Sequence, residues 1–203
     1  NMARTTFLVD DLNPTERYKL TTGLIIPRPI GWIGTKSNDG VNNLAPYSFF
    51  NAVASNPPVL IFSTGVIDNQ IKDSLANIRE SGVFTANLVD HDLSVAMNKT
   101  AENLSPEIDE FTIAGLTANS FGSVDAPGVL EAKAVLECRA IREVLLGEES
   151  TRHVVTFGEV IAFHIDEKVL DGTKVNAQEL DALGRLSGSE YATTRDHFNL
   201  DRP

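Results

Sequence analysis

The stretch from Leu130 to Ile165 constrains the fold more than any other part of the chain. Between Leu130 and Arg142, Leu130, Ala132, Ala134, Leu136, Cys138 and Ala140 alternate with Glu131, Lys133, Glu137 and Arg139. A period of two describes a half-buried strand, the first set facing a core and the second facing water. Val154 to Ile165 is a second long strand pattern, more apolar throughout. Gly147 and Glu148-Glu149-Ser150 separate the two, which predicts one long antiparallel hairpin.

Shorter strand patterns precede this hairpin. Pro27 and Pro29 mark an entry segment, with a true strand from about Ile30 to Thr35. Ser37-Asn38-Asp39-Gly40 signals a turn, because Asp-Gly tolerates positive φ. A partner strand is predicted from Asn43 through Phe50, a short buried one over Val59–Ser63, and another over Val83–Val89. Helical spacing predicts a helix over 72–80, ended by Gly82, and a polar helical stretch over 92–103. About six strands with two short helices favour a mainly β, antiparallel barrel over a doubly wound sheet, which needs a helix after nearly every strand. The organisation expected is an N-terminal arm over 1–20 with a short helix after Asn13-Pro14, a barrel domain over 21–170, and a polar tail over 171–203.

Charge and motif content then exclude several functions. The formal charge is −11, from 17 basic and 28 acidic residues, which argues against nucleic acid or an anionic membrane as the main partner. The longest apolar runs, such as Pro57 to Phe62, are far too short to span a bilayer. The lone Cys138 has no partner for an internal disulfide and fits a reducing cytoplasm, so a cytoplasmic location is expected. Neither a Gly-x-Gly-x-x-Gly fingerprint nor a P-loop is present. His91, His153, His164 and His197 show no metal-ligand spacing, and no metal is expected.

The informative block is residues 28–74. Arg28-Pro29-Ile30-Gly31-Trp32-Ile33-Gly34-Thr35 leads into Asn43-Leu44-Ala45-Pro46-Tyr47-Ser48-Phe49-Phe50-Asn51-Ala52-Val53. Asn56-Pro57-Pro58-Val59 and Lys72-Asp73-Ser74 follow. In this order the motifs resemble the flavin reductase-like, FMN-binding split-barrel family. The branch resembled contains flavoredoxin-like proteins and the reductase components of two-component monooxygenases. The tail segment Gly184-Arg185-Leu186-Ser187-Gly188-Ser189-Glu190-Tyr191 is similar to that branch as well.

The resemblance implies a Greek-key antiparallel split β-barrel, FMN as cofactor and NAD(P)H as electron donor. It implies an NAD(P)H:flavin oxidoreductase that passes electrons to a second acceptor, such as an oxygenase partner. A flavoredoxin-like electron carrier without its own NAD(P)H site is the alternative. It also implies a homodimer with flavin near the interface.

The implied phosphate site is Lys72, Asp73 and Ser74, at a predicted helix start where free N–H groups and the dipole favour an anion. Read alone, Asp73 or Ser74 is equally an N-cap. The implied flavin lining is Pro46, Tyr47, Ser48, Asn51 and Ala52, although Tyr47, Phe49 and Phe50 also read as core. Thr35 and Ser63-Thr64 end strands, where their hydroxyls can meet the cofactor or cap backbone groups. His153 is implied on the nicotinamide side of the flavin, and a structural histidine is the other reading. Arg185 and Tyr191 either fold over the cofactor or dock the tail. Trp32, the only tryptophan, reads as core.

Overall fold

The computed structural model describes residues 2–203. Seven strands form one antiparallel sheet: β1 (Gly31–Lys36), β2 (Asn42–Tyr47), β3 (Phe50–Ser55), β4 (Pro58–Gly65), β5 (Val83–Asn87), β6 (Ala134–Leu146) and β7 (His153–Ile165). Their order is β2-β1-β5-β6-β7-β4-β3. Successive strands β2 and β3 therefore lie at opposite edges, joined only by Ser48-Phe49. The sheet curls into a barrel that is open between these edges. The Phe50 ring reaches back across the gap to Gly31, where a methyl group would overlap it.

The long hairpin is present, with β6 and β7 paired from His153↔Leu146 to Ile165↔Ala134. Two corrections apply to β6. It begins at Ala134 rather than Leu130, because 129–132 form a turn closed by Ala132 N–H to Val129 C=O. Leu130 is consequently exposed. Glu137, expected to face water, is fully buried because loop 121–127 folds over that face and offers it N–H donors.

β1 is buried on both faces, so it reads as a near-continuous apolar run rather than an alternating one. Ile33 joins Leu60, Phe62, Phe84 and Cys138 inside the barrel. Trp32 packs outside with Leu44, Met97, Phe111 and Val129, and is core as read. Each such fully buried side chain is worth about 1.5–3 kcal/mol in transfer free energy. Gly158 on β7 has a packing role: a methyl there would overlap the Phe84 ring.

Several segments differ from expectation. The strand expected over Asn43–Phe50 breaks at Ser48-Phe49, where the chain turns the barrel corner. The residues after it form a separate edge strand, β3, paired to β4. Small residues and exposure on β3 leave no alternation to read. Helix α1 (Pro14–Leu24) runs beyond residue 20, started by a reciprocal Asn13–Glu16 capping box and Pro14. Helix α2 (Asp73–Ser81) ends at Gly82 with φ 74°, matching its expectation. The stretch 92–103 yields only α3 (Ser94–Lys99), and α4 (Glu110–Ala114) was not anticipated.

The tail is stitched to the barrel mouth rather than hanging free. Leu183–Arg185 pairs with Arg28-Pro29 on one side and with Tyr191–Thr193 on the other. Neither pairing carries enough residues to show periodicity in the sequence. Among the described residues, no helix is long and apolar enough to cross a membrane.

Candidate functional site

A groove opens where β2 ends, between the start of α2, the segment after α3 and the tail. Its first half is lined by Pro46, Tyr47, Lys72, Ser74, Asn103 and Glu110, among others. Its second half is lined by Pro46, Ser48, Met97, Asn98, Arg185 and Tyr191, with Ile30 and Ala101. Pro46 and Ala101 border both halves, so the two adjoin.

The first half is built to receive an anion. Lys72 is the N-cap of α2 and makes no side-chain capping bond. The first helical hydrogen bond runs from Ala76 N–H to Lys72 C=O, leaving the N–H groups before it without helical partners. The Lys72 ammonium donates to Asn103 Oδ1 at 3.1 Å. Ser74 is fully buried and its Oγ accepts from the Tyr47 hydroxyl at 2.9 Å. Burial pushes the Tyr47 phenol up to about 12, helped by nearby Asp73 and Glu110 and opposed by the bond to Ser74.

Carboxylates share this half. Glu110 is buried, and accepts from Asn43 Nδ2 and Leu44 N–H, both at 3.2 Å. Burial raises its pKa against those bonds, with a further push from Asp73. Asp73 is also raised by burial, with Lys72 opposing.

Thr100 belongs to the same wall. Its Oγ1 accepts from the buried Trp32 Nε1 at 2.9 Å and donates to Met97 C=O at 2.7 Å. The tryptophan thus stands outside the groove but fixes one of its walls.

Pro46, Tyr47, Ser48, Lys72, Asp73 and Ser74 come together in this groove. The other sequence candidates do not. Thr35 is sealed beneath α2, its hydroxyl accepting from Asn77 Nδ2 at 3.0 Å. Asn51 and Ala52 lie on the exposed edge strand β3, where Asn51 Oδ1 accepts from Ala52 N–H. Ser63 sits on β4 with its N–H bound to Phe49 C=O at 2.8 Å. Thr64 is buried on the same strand. His153 opens β7 opposite Gly65 and stacks on Phe49, with centroids 6.3 Å apart and planes 13° apart. None of these lines either half of the groove.

Sequence reasoning missed Thr100, which caps the end of α3, Asn103 just beyond it, and Glu110, which opens α4. The only available signal was their position in polar stretches after short helices. It also missed Arg28, which is buried beside Ser48.

Comparison with known proteins bears on the fold and the family. The Flavin reductase like domain matches residues 23–180. An uncharacterised protein of Aquifex aeolicus is 38% identical over 187 residues, covering 91% of this chain and 93% of its own. Nitrilotriacetate monooxygenase component B from Bacillus cereus has a crystal structure that superposes with a TM-score of 0.95 at 35% identity, covering 98% of this chain and 100% of that one. The 2-nitrobenzoate 2-nitroreductase of Pseudomonas fluorescens superposes with a TM-score of 0.89 at 28% identity, covering 98% and 96%. With its split-barrel fold and a family match over most of its residues, the chain belongs to the flavin reductase-like domain family.

Proposed function

We propose that the groove holds FMN and that the protein is an NAD(P)H-dependent oxidoreductase delivering electrons to a second acceptor, such as an oxygenase partner. The observation carrying this reading is the uncapped start of α2 with Lys72 and Ser74, opening onto a groove whose adjoining half, beyond Pro46, is lined by Ser48 and Tyr191. The donor set fits FMN at both ends. Free helix N–H groups and an ammonium suit a phosphate. Ser48, Asn98 and Tyr191 suit the polar rim of a planar ring, and Pro46 and Met97 offer it apolar contact.

When bound, FMN supplies the hydride and electron chemistry. The chain's own residues then have physical tasks. Lys72 and the α2 N–H groups would bind the phosphate. Tyr47 holds Ser74 in place and stays protonated at neutral pH, so it acts as a fixed donor. Trp32 and Thr100 keep the α3 side of the groove rigid.

His153 supports a second reading. It lies off the groove, against Phe49. That placement favours an FMN-holding electron carrier that is reduced by a partner protein. Anaerobic mixing of the FMN-loaded protein with NADH and with NADPH separates the two. Rapid bleaching by either nucleotide supports the oxidoreductase, and bleaching only by an added reductase supports the carrier.

A homodimer is part of the proposal. Ile141, Leu145, Ile161 and Phe163 are exposed on the β6–β7 hairpin, and β3 is an unpaired edge. Both features call for cover. Light scattering at micromolar concentration is expected to return twice the 22.0 kDa chain mass, and a monomer that still binds FMN contradicts the shared site.

A further inference from the structure

The far end of the groove holds an electrostatic arrangement that the phosphate site does not explain. Arg28 and Arg185 lie directly opposite each other in the short strand pair that ties the tail to the barrel. Like charges in that register repel. Among the described residues, neither arginine has a carboxylate partner. This is unusual in a chain of net charge −11. Burial and Arg185 together lower the pKa of Arg28.

Arg28 spends its donors on the fold. Nη1 binds the carbonyls of Thr22 and Ile25, Nη2 binds Leu186 C=O at 3.0 Å, and Nε reaches Ser48 Oγ at 3.4 Å. Arg185 Nη1 donates to Tyr191 Oη at 3.1 Å, Nη2 donates to Gly188 C=O, and Nε is buried without a partner.

The consequence is directional. Ser48 and Tyr191 each accept from an arginine, so each hydroxyl keeps its proton for something else. Both line the groove, as does Arg185, and no carboxylate lines this half. The end opposite Lys72 is therefore rich in donors, positively charged and without a counter-ion.

We propose that Ser48, Tyr191 and Arg185, backed by Arg28, form the docking edge for the electron-rich side of the flavin ring and stabilise its reduced, anionic state over its oxidised state. The inference rests on the reading of the groove as an FMN site. Adding two electrons and one proton to the ring, with a pyridine nucleotide or a chemical reductant as donor, leaves one net negative charge shared between N1 and the C2 carbonyl. A fixed positive group at that edge favours this charge, and it acts on the reduced ring far more than on the neutral oxidised ring. Arg185 touches the ring edge in this arrangement, whereas Arg28 acts through Ser48 as a positioning residue.

The test is the two-electron potential of bound FMN, measured anaerobically against a reference dye, beside the affinity for oxidised FMN. Arg185→Gln is expected to bind oxidised FMN as wild type does but reduced FMN about tenfold more weakly, lowering the potential by about 30 mV. Arg185→Lys, which keeps the charge, should retain most of the wild-type potential. Tyr191→Phe removes one donor and keeps the aromatic ring, so it carries the test if Arg185→Gln does not fold. Its expected loss is about threefold in reduced-FMN affinity, or about 14 mV. Wild-type protein that binds FMN, with variants whose potential is unchanged, overturns this inference alone. Wild-type protein that does not bind FMN overturns the functional reading together with it.

Discussion

The Tyr47 hydroxyl donates to Ser74 Oγ across 2.9 Å, joining the end of β2 to the first turn of α2. Sheet edge and helix start are thereby held at a set separation. Tyr47→Phe deletes that donor and is expected to cost about 1 kcal/mol of stability, read as a lower denaturant midpoint.

The same residue predicts an alkaline signature. Its folded pKa of about 12 lies above the ordinary phenol value of about 10. The unfolded chain therefore loses its proton first as pH rises. The contribution is complete below about pH 10 and disappears as pH climbs toward about 12. Unfolding at a series of alkaline pH values should show this decline in wild type and a shallower one in Tyr47→Phe.

Lys72→Ala separates binding from folding. The side chain makes one hydrogen bond, to Asn103, and is not paired with a carboxylate among the described residues, so stability should change by less than about 0.5 kcal/mol. Loss of one charge-assisted contact to phosphate costs about 1.5–3 kcal/mol, or at least tenfold in FMN affinity. Riboflavin, which has no phosphate, should bind wild type and variant equally.

Glu137 and His164 predict an acid response. The buried Glu137 carboxylate accepts from Ser123 N–H, from Val124 N–H at 2.9 Å and from His164 Nε2 at 2.5 Å. Burial alone would raise its pKa, but the bonds from Val124, His164 and Ser123 together hold it below the usual carboxylate range. A lowered folded value stabilises the protein above the unfolded Glu value of about 4.3 and is lost as pH falls through the folded value. Glu137→Ala should cost roughly 3 kcal/mol or more by orphaning the loop donors. It should also flatten the acid limb of the unfolding profile.

Gly158→Ala tests the packing inside the barrel. The added methyl meets the Phe84 ring, which is itself wedged against Phe62 at 5.4 Å. With no room to yield, the substitution should cost roughly 1–3 kcal/mol by thermal or denaturant unfolding.

These residues also show which features a sequence reveals. The β6–β7 hairpin was legible because long strands repeat a two-residue period many times. α2 was legible because Gly82 ends it with a positive φ that glycine alone adopts freely. Lys72 to Ser74 followed from that helix start and from the ordered motifs around it. Glu137 was misread because burial there comes from loop 121–127, which has no periodicity of its own. Thr35 stayed open between two readings because a strand-end hydroxyl looks the same whether it faces a groove or the underside of α2. The Arg28–Arg185 pairing depends on residues 157 positions apart coming into register, which no local pattern encodes.

Equilibrium titration of the purified protein with FMN, followed by flavin fluorescence, tests the central claim most directly. The account predicts saturable quenching with one FMN per chain, weakened at least tenfold by Lys72→Ala. Flavin fluorescence that stays unquenched across the titration, or a Lys72→Ala curve that overlays the wild type, would contradict it.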